Sequence, residues 1–274
     1  GVYGYYARDL PDPGEIVTRQ EKFETTKIYD RTGKVLLMEV IDPRHGDRTL
    51  LPLEQIPEDF RNATIALEDK TFYSNIGIDP QGIARAFLLN LQGQGVQGGS
   101  SITVQLVKNI LIPEEERYQI SYARKIKEAI LAMEISRQYS KDQILEWYLN
   151  TNYYGNWAIG VEAASQVYFG KHAQELTLAE CAMLAPIVQY PAMNPIDNPD
   201  EAKTRQGIAL ERLQAEGYIT RTEAEAAFAE PLQIHSSMLK RYDLVAPHFA
   251  VYVRKQLEDA YGAELLYRGG LKVY

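Results

Sequence analysis

Two adjacent carboxylates, Glu68 and Asp69, lie where a helical pattern gives way to a loop, in the stretch "ALEDKTFYSNIGIDP" at residues 66–80. A carboxylate beside a negative neighbour binds a proton more tightly, which suits a base that must deprotonate a hydroxyl group. Adjacent acids also occur simply as the solvated end of a helix. The pair alone therefore leaves two open interpretations, a general base and a helix end.

A second group of charges follows one face of a later helix. Arg124 and Glu128 are separated by four residues, Arg117 precedes Arg124 by one heptad, and Lys125 flanks them. An exposed, salt-bridged surface would show the same spacing. However, the Glu128 face continues into the apolar Leu131, and a carboxylate drawn towards a core needs a partner or has a chemical role.

Polar and apolar residues alternate in "SSITVQLVKN" at 100–109. The polar members include Ser100, Ser101, Thr103, Gln105 and Lys108. Their hydroxyl, amide and ammonium groups could line a cleft for a phosphate or a sugar, or they could form only the wet face of an amphipathic segment. The glycine-rich loop before them is not a nucleotide phosphate loop, because no G-K-[ST] follows it and no strand precedes it.

The sequence excludes several common kinds of site. Its four histidines lack metal-ligand spacing, its one cysteine, Cys181, cannot build a thiolate metal cage or an internal disulfide, and no G-x-S-x-G motif is present. The net charge of −8 argues against non-specific nucleic-acid binding, which requires a basic surface. Carboxylates combined with basic residues remain, and these suit glycosyl transfer with an anionic leaving group.

The elements that must position these residues are predominantly helical. The stretch "TKIYDRTGKVLLMEV" at 26–40 predicts a β-hairpin that turns at Asp30–Gly33, and from Pro57 onwards the pattern is helical, including one long helix from about Glu114 to Tyr139. Capping boxes are predicted at three helix starts: Ser140/Gln143, Thr177/Glu180 and Thr220/Glu223. We therefore expect a mainly α fold with a short β hairpin near the N-terminus.

Neither end of the chain resembles the boundary of a core. The first residues, "GVYGYYARDLPDPGEI", are typical of a stalk, and the last, "LYRGGLKVY", stop inside a strand-like pattern. No run reaches the ~18 apolar residues that a membrane-spanning helix requires, and no signal peptide is present as written. We expect the chain to be a piece of a longer protein.

Taken together, these stretches resemble the peptidoglycan glycosyltransferase domain of class A penicillin-binding proteins. The family motif E-D-x-x-F-x-x-H-x-G is similar to "EDKTFYSNIG", which includes Phe72, and G-x-S-T-I-T-x-Q-L-x-K-N is similar to "GGSSITVQLVKN". The third motif, R-K-x-x-E, corresponds to "RKIKE" at 124–128. A fourth block matches 140–171, including Asn150, and "LTLAECAMLAPIVQYPAMNP" resembles the fifth. The resemblance covers roughly residues 50–230.

The resemblance implies a lysozyme-like large lobe and a smaller, membrane-associated jaw lobe at about 84–123, whose apolar residues beside polar loops suit an interfacial element. It also implies three segments: a stalk at 1–26 that follows a transmembrane helix, a glycosyltransferase domain at 27–235, and a C-terminal helix at 236–274 that begins a linker. Beyond the linker a transpeptidase domain is expected. The implied location is the extracytoplasmic face of a bacterial cell membrane, with the single-pass anchor outside this chain.

By the same resemblance, the domain polymerises lipid II into glycan strands by inverting transfer, with undecaprenyl pyrophosphate as the leaving group. Glu68 would be the general base and Glu128 would assist at the leaving group, through a divalent Mg²⁺ or Mn²⁺ ion that Glu128 or Asp69 could bind; no organic cofactor is implied. Its partners would be lipid II, the growing glycan strand and the membrane. The expected substrate-binding residues are Asp69, Phe72, Asn75, Ser100, Thr103, Gln105, Lys108, Arg117, Arg124, Lys125 and Asn150.

Three residues depart from the family pattern, and Ser101 in place of Thr is the mildest of these changes. Asn75 stands where the family usually has His, and Val104 stands where Gln is usual. An amide can position a neighbour by hydrogen bonding but cannot shuttle a proton at neutral pH. Two alternatives therefore remain: a catalytically silent scaffold that binds lipid-linked glycan, and a lysozyme-like hydrolase that uses Glu68 and Glu128 as an acid–base pair.

Overall fold

A computed structural model of the chain describes residues 10–17, 25–40, 47–80, 82, 100–113, 116, 121–235, 247–261 and 271–274. This part of the chain is mainly helical, with a small sheet near the N-terminus, as predicted. Its α-helices are α1 (Glu58–Glu68), α2 (Ile102–Ile110), α3 (Tyr122–Gln138), α4 (Lys141–Thr151), α5 (Val161–Phe169), α6 (Leu178–Leu184), α7 (Pro199–Ala215), α8 (Arg221–Ala229) and α9 (Pro247–Tyr261). Short 3₁₀ helices occur at Leu53–Gln55, Ala173–Glu175 and Ala185–Val188.

The helix starts follow local capping rules. Both sides of the predicted capping box are present at Thr177 of α6 and at Thr220 of α8. The predicted box at Ser140 is only half formed: its hydroxyl accepts the Gln143 N–H at 3.2 Å, but the Gln143 side chain donates to Glu146 instead.

The prediction of one long helix from about Glu114 is wrong at its start. Ser121 has an extended backbone (φ −141°, ψ 127°), and its hydroxyl accepts the N–H of Arg124, so α3 begins at Tyr122. The acids at 114–116 predict a first turn there, because acidic residues favour helix N-termini. The helix begins instead after a serine cap seven residues later, at Ser121.

One continuous apolar core joins the helices that carry the candidate site. Its largest fully buried side chains include Phe60 of α1, Tyr148 of α4 and Tyr168 of α5. Helix α2 packs against both α3 and α4, while α1 packs against α6, α7 and the 3₁₀ helix Ala185–Val188. The end of α1, where Glu68 lies, is therefore held from several sides.

A second, smaller core lies beneath the N-terminal sheet. Strands β1 (Thr26–Tyr29) and β2 (Leu36–Val40) are antiparallel and form the predicted hairpin. Strand β5 (Lys272–Val273) pairs parallel to β1, and α9 packs on β2 through an apolar cluster. A separate parallel pair is formed by β3 (Asp47–Arg48) and β4 (Ala158–Ile159).

The expected membrane elements lie largely outside the described residues. The predicted jaw at about 84–123 is described only at 100–113, 116 and 121–123, and the predicted stalk at 1–26 only at 10–17 and 25–26. Within the described part of the chain, no helix has the length and apolar character needed to cross a membrane.

Candidate active site

Glu68 is the last residue of α1, and two glutamine amides hold its carboxylate. Gln105 of α2 donates from Nε2 to Glu68 Oε2 at 2.6 Å, and Gln189 donates from Nε2 to Oε1 at 2.7 Å. The Glu68 side chain is partly buried, whereas Gln189 is exposed. Each carboxylate oxygen thus has its own donor, and these hydrogen bonds favour the ionised form.

A buried tyrosine sets the orientation of the Gln105 amide. The hydroxyl of Tyr148, a fully buried residue of α4, donates to Gln105 Oε1 at 3.0 Å. Because the carbonyl end of the amide is engaged by Tyr148, its N–H₂ end must face Glu68. Gln105, predicted as a substrate-binding residue, therefore orients the proposed base from within the protein.

Burial dominates the proton affinity of Glu68. Desolvation raises the pKa of Glu68 above its ordinary value, the hydrogen bonds from Gln105 and Gln189 lower it, and the nearby charge of Asp69 raises it by the smallest amount. The predicted tuning by Asp69 is in the expected direction, but it is minor. A carboxylate with a raised pKa suits a general base, since it binds the abstracted proton more tightly.

Asp69 has a structural role that its position beside Glu68 does not reveal. Its carboxylate accepts the backbone N–H of Ile102 at 3.1 Å, at the start of α2, and the hydroxyl of Thr71 at 3.1 Å. A negative charge at a helix N-terminus is favourable because the helix dipole is positive there. Asp69 therefore ties the end of α1 to the start of the helix that carries Gln105.

Asn75, the unexplained departure from the family pattern, bridges two oppositely charged residues. Its Nδ2 lies 3.0 and 2.9 Å from the two carboxylate oxygens of Asp69, while its Oδ1 accepts from Lys141 Nζ at 2.8 Å and from the Gly77 N–H at 2.9 Å. Desolvation lowers the pKa of Lys141, and the charge of Asp69 partly opposes this. An amide serves here because it donates on one side and accepts on the other.

Phe72 and Gly77 shape the loop that follows Asp69. Phe72 is fully buried, with Lys141 Nζ 4.9 Å from its ring centroid, so it packs in the core and does not line an open site. Gly77 has a φ of +98°, and its carbonyl accepts from Ser101 Oγ at 2.5 Å. A side chain at Gly77 would collide with the backbone carbonyl of Ala132 in α3, which explains the glycine.

The charges of α3 form a compact cluster. Glu128 is fully buried and forms an ion pair with Arg124, whose side chain is 10% exposed, and Lys125 Nζ lies 3.2 Å from Glu128 Oε2. Lys125 is half-exposed and also lies 3.5 Å from the hydroxyl of Ser100. The alternative that these charges form a solvated surface is wrong for Glu128, because its carboxylate has no exposure.

Other residues that were predicted to bind substrate are buried among neighbouring helices and loops, or lie outside the part of the chain that the structure describes. Thr103 is fully buried, with its hydroxyl 3.5 Å from Ser136, in the contact between α2 and α3. Asn150 is buried and clamps the segment before the 3₁₀ helix Leu53–Gln55: Leu51 donates to it at 2.9 Å and accepts from it at 2.8 Å. Both side chains make contacts within the protein, and Arg117 lies outside the described residues.

A sequence model of the family described as "Transglycosylase" matches residues 34–214, which is more than half of the chain. The chain belongs to the transglycosylase family. The predicted motifs that contain Glu68, Gln105 and Glu128 all fall within the matched region, as does Gln189. The residues just described therefore belong to the part of the chain that defines the family.

The transglycosylase domain has curated relatives that are much longer. It is 39% identical over 269 residues to "Penicillin-binding protein 1A" of Aquifex aeolicus, covering 97% of this chain and 35% of the relative. It is 38% identical over 275 residues to the protein of the same name from Pseudomonas aeruginosa, covering 100% of this chain and 32% of the relative. The chain thus spans about a third of the length of these relatives.

The fold resembles a solved structure. The crystal structure of Penicillin-Binding Protein 1A from Haemophilus influenzae matches with a TM-score of 0.51 at 24% sequence identity, covering 91% of this chain and 26% of that chain. At this identity the likeness concerns the fold alone. It supports a mainly helical fold with a small N-terminal sheet.

The described residues of the transglycosylase domain offer few candidate protein ligands for a divalent ion. Among the described residues, no three His, Cys, Asp or Glu side chains cluster in a way that would hold a metal. Asp69 is committed to Asn75 and to the start of α2, whereas Glu128 Oε2 is buried without a hydrogen bond of good geometry, although Lys125 is near. A metal here would therefore use Glu128 and would need most of its oxygen ligands from a bound phosphate.

Sequence reasoning missed three residues of the transglycosylase site: Gln189, Tyr148 and Lys141. Gln189 lies in "PIVQYPAMNP", within the stretch that resembles the fifth family block, and that resemblance implies no role for it. Tyr148 and Lys141 lie in α4 and read as ordinary core and surface residues of an amphipathic helix. Gln189 could have been noticed as a polar residue directly after a buried 3₁₀ helix. However, nothing in the local sequence indicates that it contacts Glu68.

Proposed function

We propose that this transglycosylase domain polymerises lipid II into peptidoglycan glycan strands by inverting transfer, with undecaprenyl pyrophosphate as the leaving group. One observation carries the proposal. Ser100 lies between the two halves of the site: its carbonyl is 3.4 Å from Gln105 Nε2, which holds Glu68, and its hydroxyl is 3.5 Å from Lys125 Nζ. A base and a group of cations therefore border the same short segment.

The proposed chemistry uses the two halves for two different tasks. The hydroxyl of the acceptor sugar transfers its proton to Glu68 while its oxygen attacks the anomeric carbon of the donor. The bond from that carbon to the pyrophosphate oxygen breaks, and the electron pair leaves with the pyrophosphate. Attack from the face opposite the leaving group inverts the anomeric centre.

The cations would neutralise the charge that gathers on the departing pyrophosphate. Lys125 and Arg124 are candidates because the Glu128 carboxylate contacts both side chains and holds them in place. Arginine and lysine close to developing phosphate charge lower the barrier most when they are preorganised. Lys108 of α2 and Arg117 remain proposed members of the group. A divalent ion held by Glu128 would add charge stabilisation at the same oxygens.

We further propose the domain arrangement that the family resemblance implies. A lysozyme-like lobe would carry Glu68, and a jaw at about 84–123 would contact the membrane surface. The site would face the extracytoplasmic side of a bacterial membrane, where lipid II is presented. The curated relatives are about three times as long as this chain. Their further length is consistent with a transpeptidase domain in the full-length protein.

Polymerisation of purified lipid II by the wild-type domain and by Glu68→Gln tests the proposal. We expect glycan polymer from the wild type and loss of activity by a factor of about 10² or more in the variant, since general-base catalysis contributes about 10²–10⁴. Gln174→Ala is a suitable control, because Gln174 is an exposed glutamine that bonds to Gln55 and not to Glu68. Intact lipid II binding without polymer formation by the wild type would instead support a silent scaffold.

The hydrolase alternative is tested in the same preparation. A lysozyme-like mechanism needs a carboxylic acid that donates a proton to the leaving oxygen. Glu128 is buried in an ion pair with Arg124 and has Lys125 beside it, so its carboxylate is already engaged by two basic side chains. Release of soluble fragments from preformed glycan without added lipid II would overturn the transfer reaction.

A further inference from the structure

The two amides that hold Glu68 differ in how firmly they are themselves held. Gln105 is partly buried, and the Tyr148 hydroxyl engages its carbonyl oxygen at 3.0 Å. Gln189 is exposed, and among the described residues its side chain is hydrogen-bonded to Glu68. Glu68 Oε2 therefore accepts from the Gln105 amide, which is fixed within the protein. Oε1 accepts from the Gln189 amide, which solvent or a substrate can reach.

The backbone around Gln189 is nevertheless well fixed. Gln189 follows the 3₁₀ helix Ala185–Val188, which packs against α1, and its N–H bonds to the carbonyl of Pro186 at 3.2 Å. The next residue, Tyr190, lies under the guanidinium of Arg205, whose central carbon is 4.1 Å from the ring centroid. The exposed side chain of Gln189 thus projects from a rigid base.

We propose that Glu68 Oε1 is the oxygen that receives the acceptor's proton and that Gln189 is the positioning residue for this transfer. The inference rests on the proposed function and identifies a further residue of the same site. In the free enzyme the Gln189 amide holds the carboxylate plane. When the acceptor hydroxyl binds, its O–H donates to Oε1, which has a second lone pair for it. Gln189 keeps Oε1 aimed at the hydroxyl while the proton moves.

Charge balance around Glu68 supports a donor at this position. Among the described residues, the charge that acts on the pKa of Glu68 is the negative charge of Asp69, and the neutral amides of Gln105 and Gln189 donate hydrogen bonds to the Glu68 carboxylate. In this part of the chain the amide N–H groups therefore stabilise the ionised base. Loss of the Gln189 donor should therefore weaken catalysis more than it weakens substrate binding.

Kinetics of lipid II polymerisation by Gln189→Met and Gln189→Glu test the proposal. Methionine keeps the length of the side chain without a donor, and we expect kcat to fall about tenfold with KM changed less than about twofold. Glutamate places a second carboxylate against Glu68, and we expect a loss of about 100-fold at neutral pH. In both variants the acidic limb of the kcat/KM profile should move to higher pH.

Controls separate the possible failures. Gln174→Ala should match the wild type, and unchanged thermal unfolding of both Gln189 variants would show that the fold is intact. Wild-type kcat in Gln189→Met and Gln189→Glu, or a rise in KM with unchanged kcat, would overturn the inference while leaving the proposed function standing. Absence of polymer from the wild type itself would overturn both.

Discussion

The amide nitrogen of Asn75 lies 3.0 and 2.9 Å from the two carboxylate oxygens of Asp69, and this bridge helps to join the elements that carry the candidate site. Through it, the loop after α1 is joined to Lys141 of α4 on one side and, by way of Asp69, to the start of α2 on the other. Asn75 therefore serves as a structural link in this chain. The residue that departed from the family pattern needs no proton-shuttling role to explain its presence.

Replacing Asn75 by alanine should destabilise the domain. The change leaves the Asp69 carboxylate and the Lys141 ammonium group without their shared partner, and loss of hydrogen bonds to partly buried charges costs about 1–3 kcal/mol of unfolding free energy. Chemical denaturation would measure it. Ser74→Ala, which removes one exposed hydrogen bond to Thr71, is the matched control and should change stability by less than about 0.5 kcal/mol.

The role of Lys141 is tested by coupling it to Asn75. A double-mutant cycle with Asn75→Ala and Lys141→Met should give an interaction energy of about 0.5–3 kcal/mol, because the two side chains are in direct contact at 2.8 Å. Additive effects would contradict the bridge. Activity should fall with stability in these variants, since the same contacts hold the start of the helix that carries Gln105.

The pH dependence of catalysis should report the environment of Glu68. Burial raises the pKa of Glu68, so the ionised base is lost, as the pH falls, at a higher pH than for an ordinary glutamate. We expect the acidic limb of the kcat/KM profile to lie above the ordinary value of 4.5. A limb at or below that value would show that the two amides outweigh burial.

The same shift predicts a change in stability with pH. Because the pKa of Glu68 is higher in the folded state than in the unfolded state, protonation favours folding, and this contribution is lost as the pH rises through the folded-state pKa. The unfolding free energy of Glu68→Gln lacks the contribution. Relative to that variant, the wild type should become less stable as the pH rises from 4.5 to neutrality, and equal pH profiles would contradict the shift.

Removing the buried carboxylate of α3 should be far more damaging than removing an exposed one. Glu128→Gln breaks the buried ion pair with Arg124, which we expect to lower the unfolding free energy by about 3–5 kcal/mol. Glu134→Gln is the matched control on the same helix, since Glu134 pairs with the well-exposed Arg137 and such pairs contribute little. Equal effects of the two changes would show that the Glu128 cluster is not a buried ion pair.

Alanine substitutions at two glycines would distinguish a steric clash from backbone strain. Gly77 and Gly217 both have positive φ values, +98° and +79°, but a β-carbon at Gly77 would meet the Ala132 backbone whereas none of the described atoms lies within 4 Å of one at Gly217. Gly217→Ala should cost about 1–2 kcal/mol from backbone strain alone. Gly77→Ala should cost a further 1–3 kcal/mol or so by overpacking. Thermal or chemical unfolding measures both, and equal losses would contradict the close approach to α3.

Most of the helices and the N-terminal hairpin could be predicted from short stretches of the sequence. Helical periodicity, serine and threonine caps and the turn at Asp30–Gly33 act over a few residues, so they predict the helices and the hairpin. The family resemblance of the motifs predicts Glu68 as the base. One exception was the start of α3: acidic residues before Ser121 predict a first turn, but the helix begins after the serine cap at Ser121.

The partners of the base were decided only by tertiary structure. Gln105 lies 37 residues from Glu68 along the chain, and Gln189 lies 121 residues away, yet each donates to one of its carboxylate oxygens. Lys141 similarly reaches Asn75 across 66 residues. Such contacts depend on how helices pack around a shared core, and no local spacing encodes them. Sequence alone therefore predicted Glu68 as the candidate base, whereas packing decided which amide holds each of its two carboxylate oxygens.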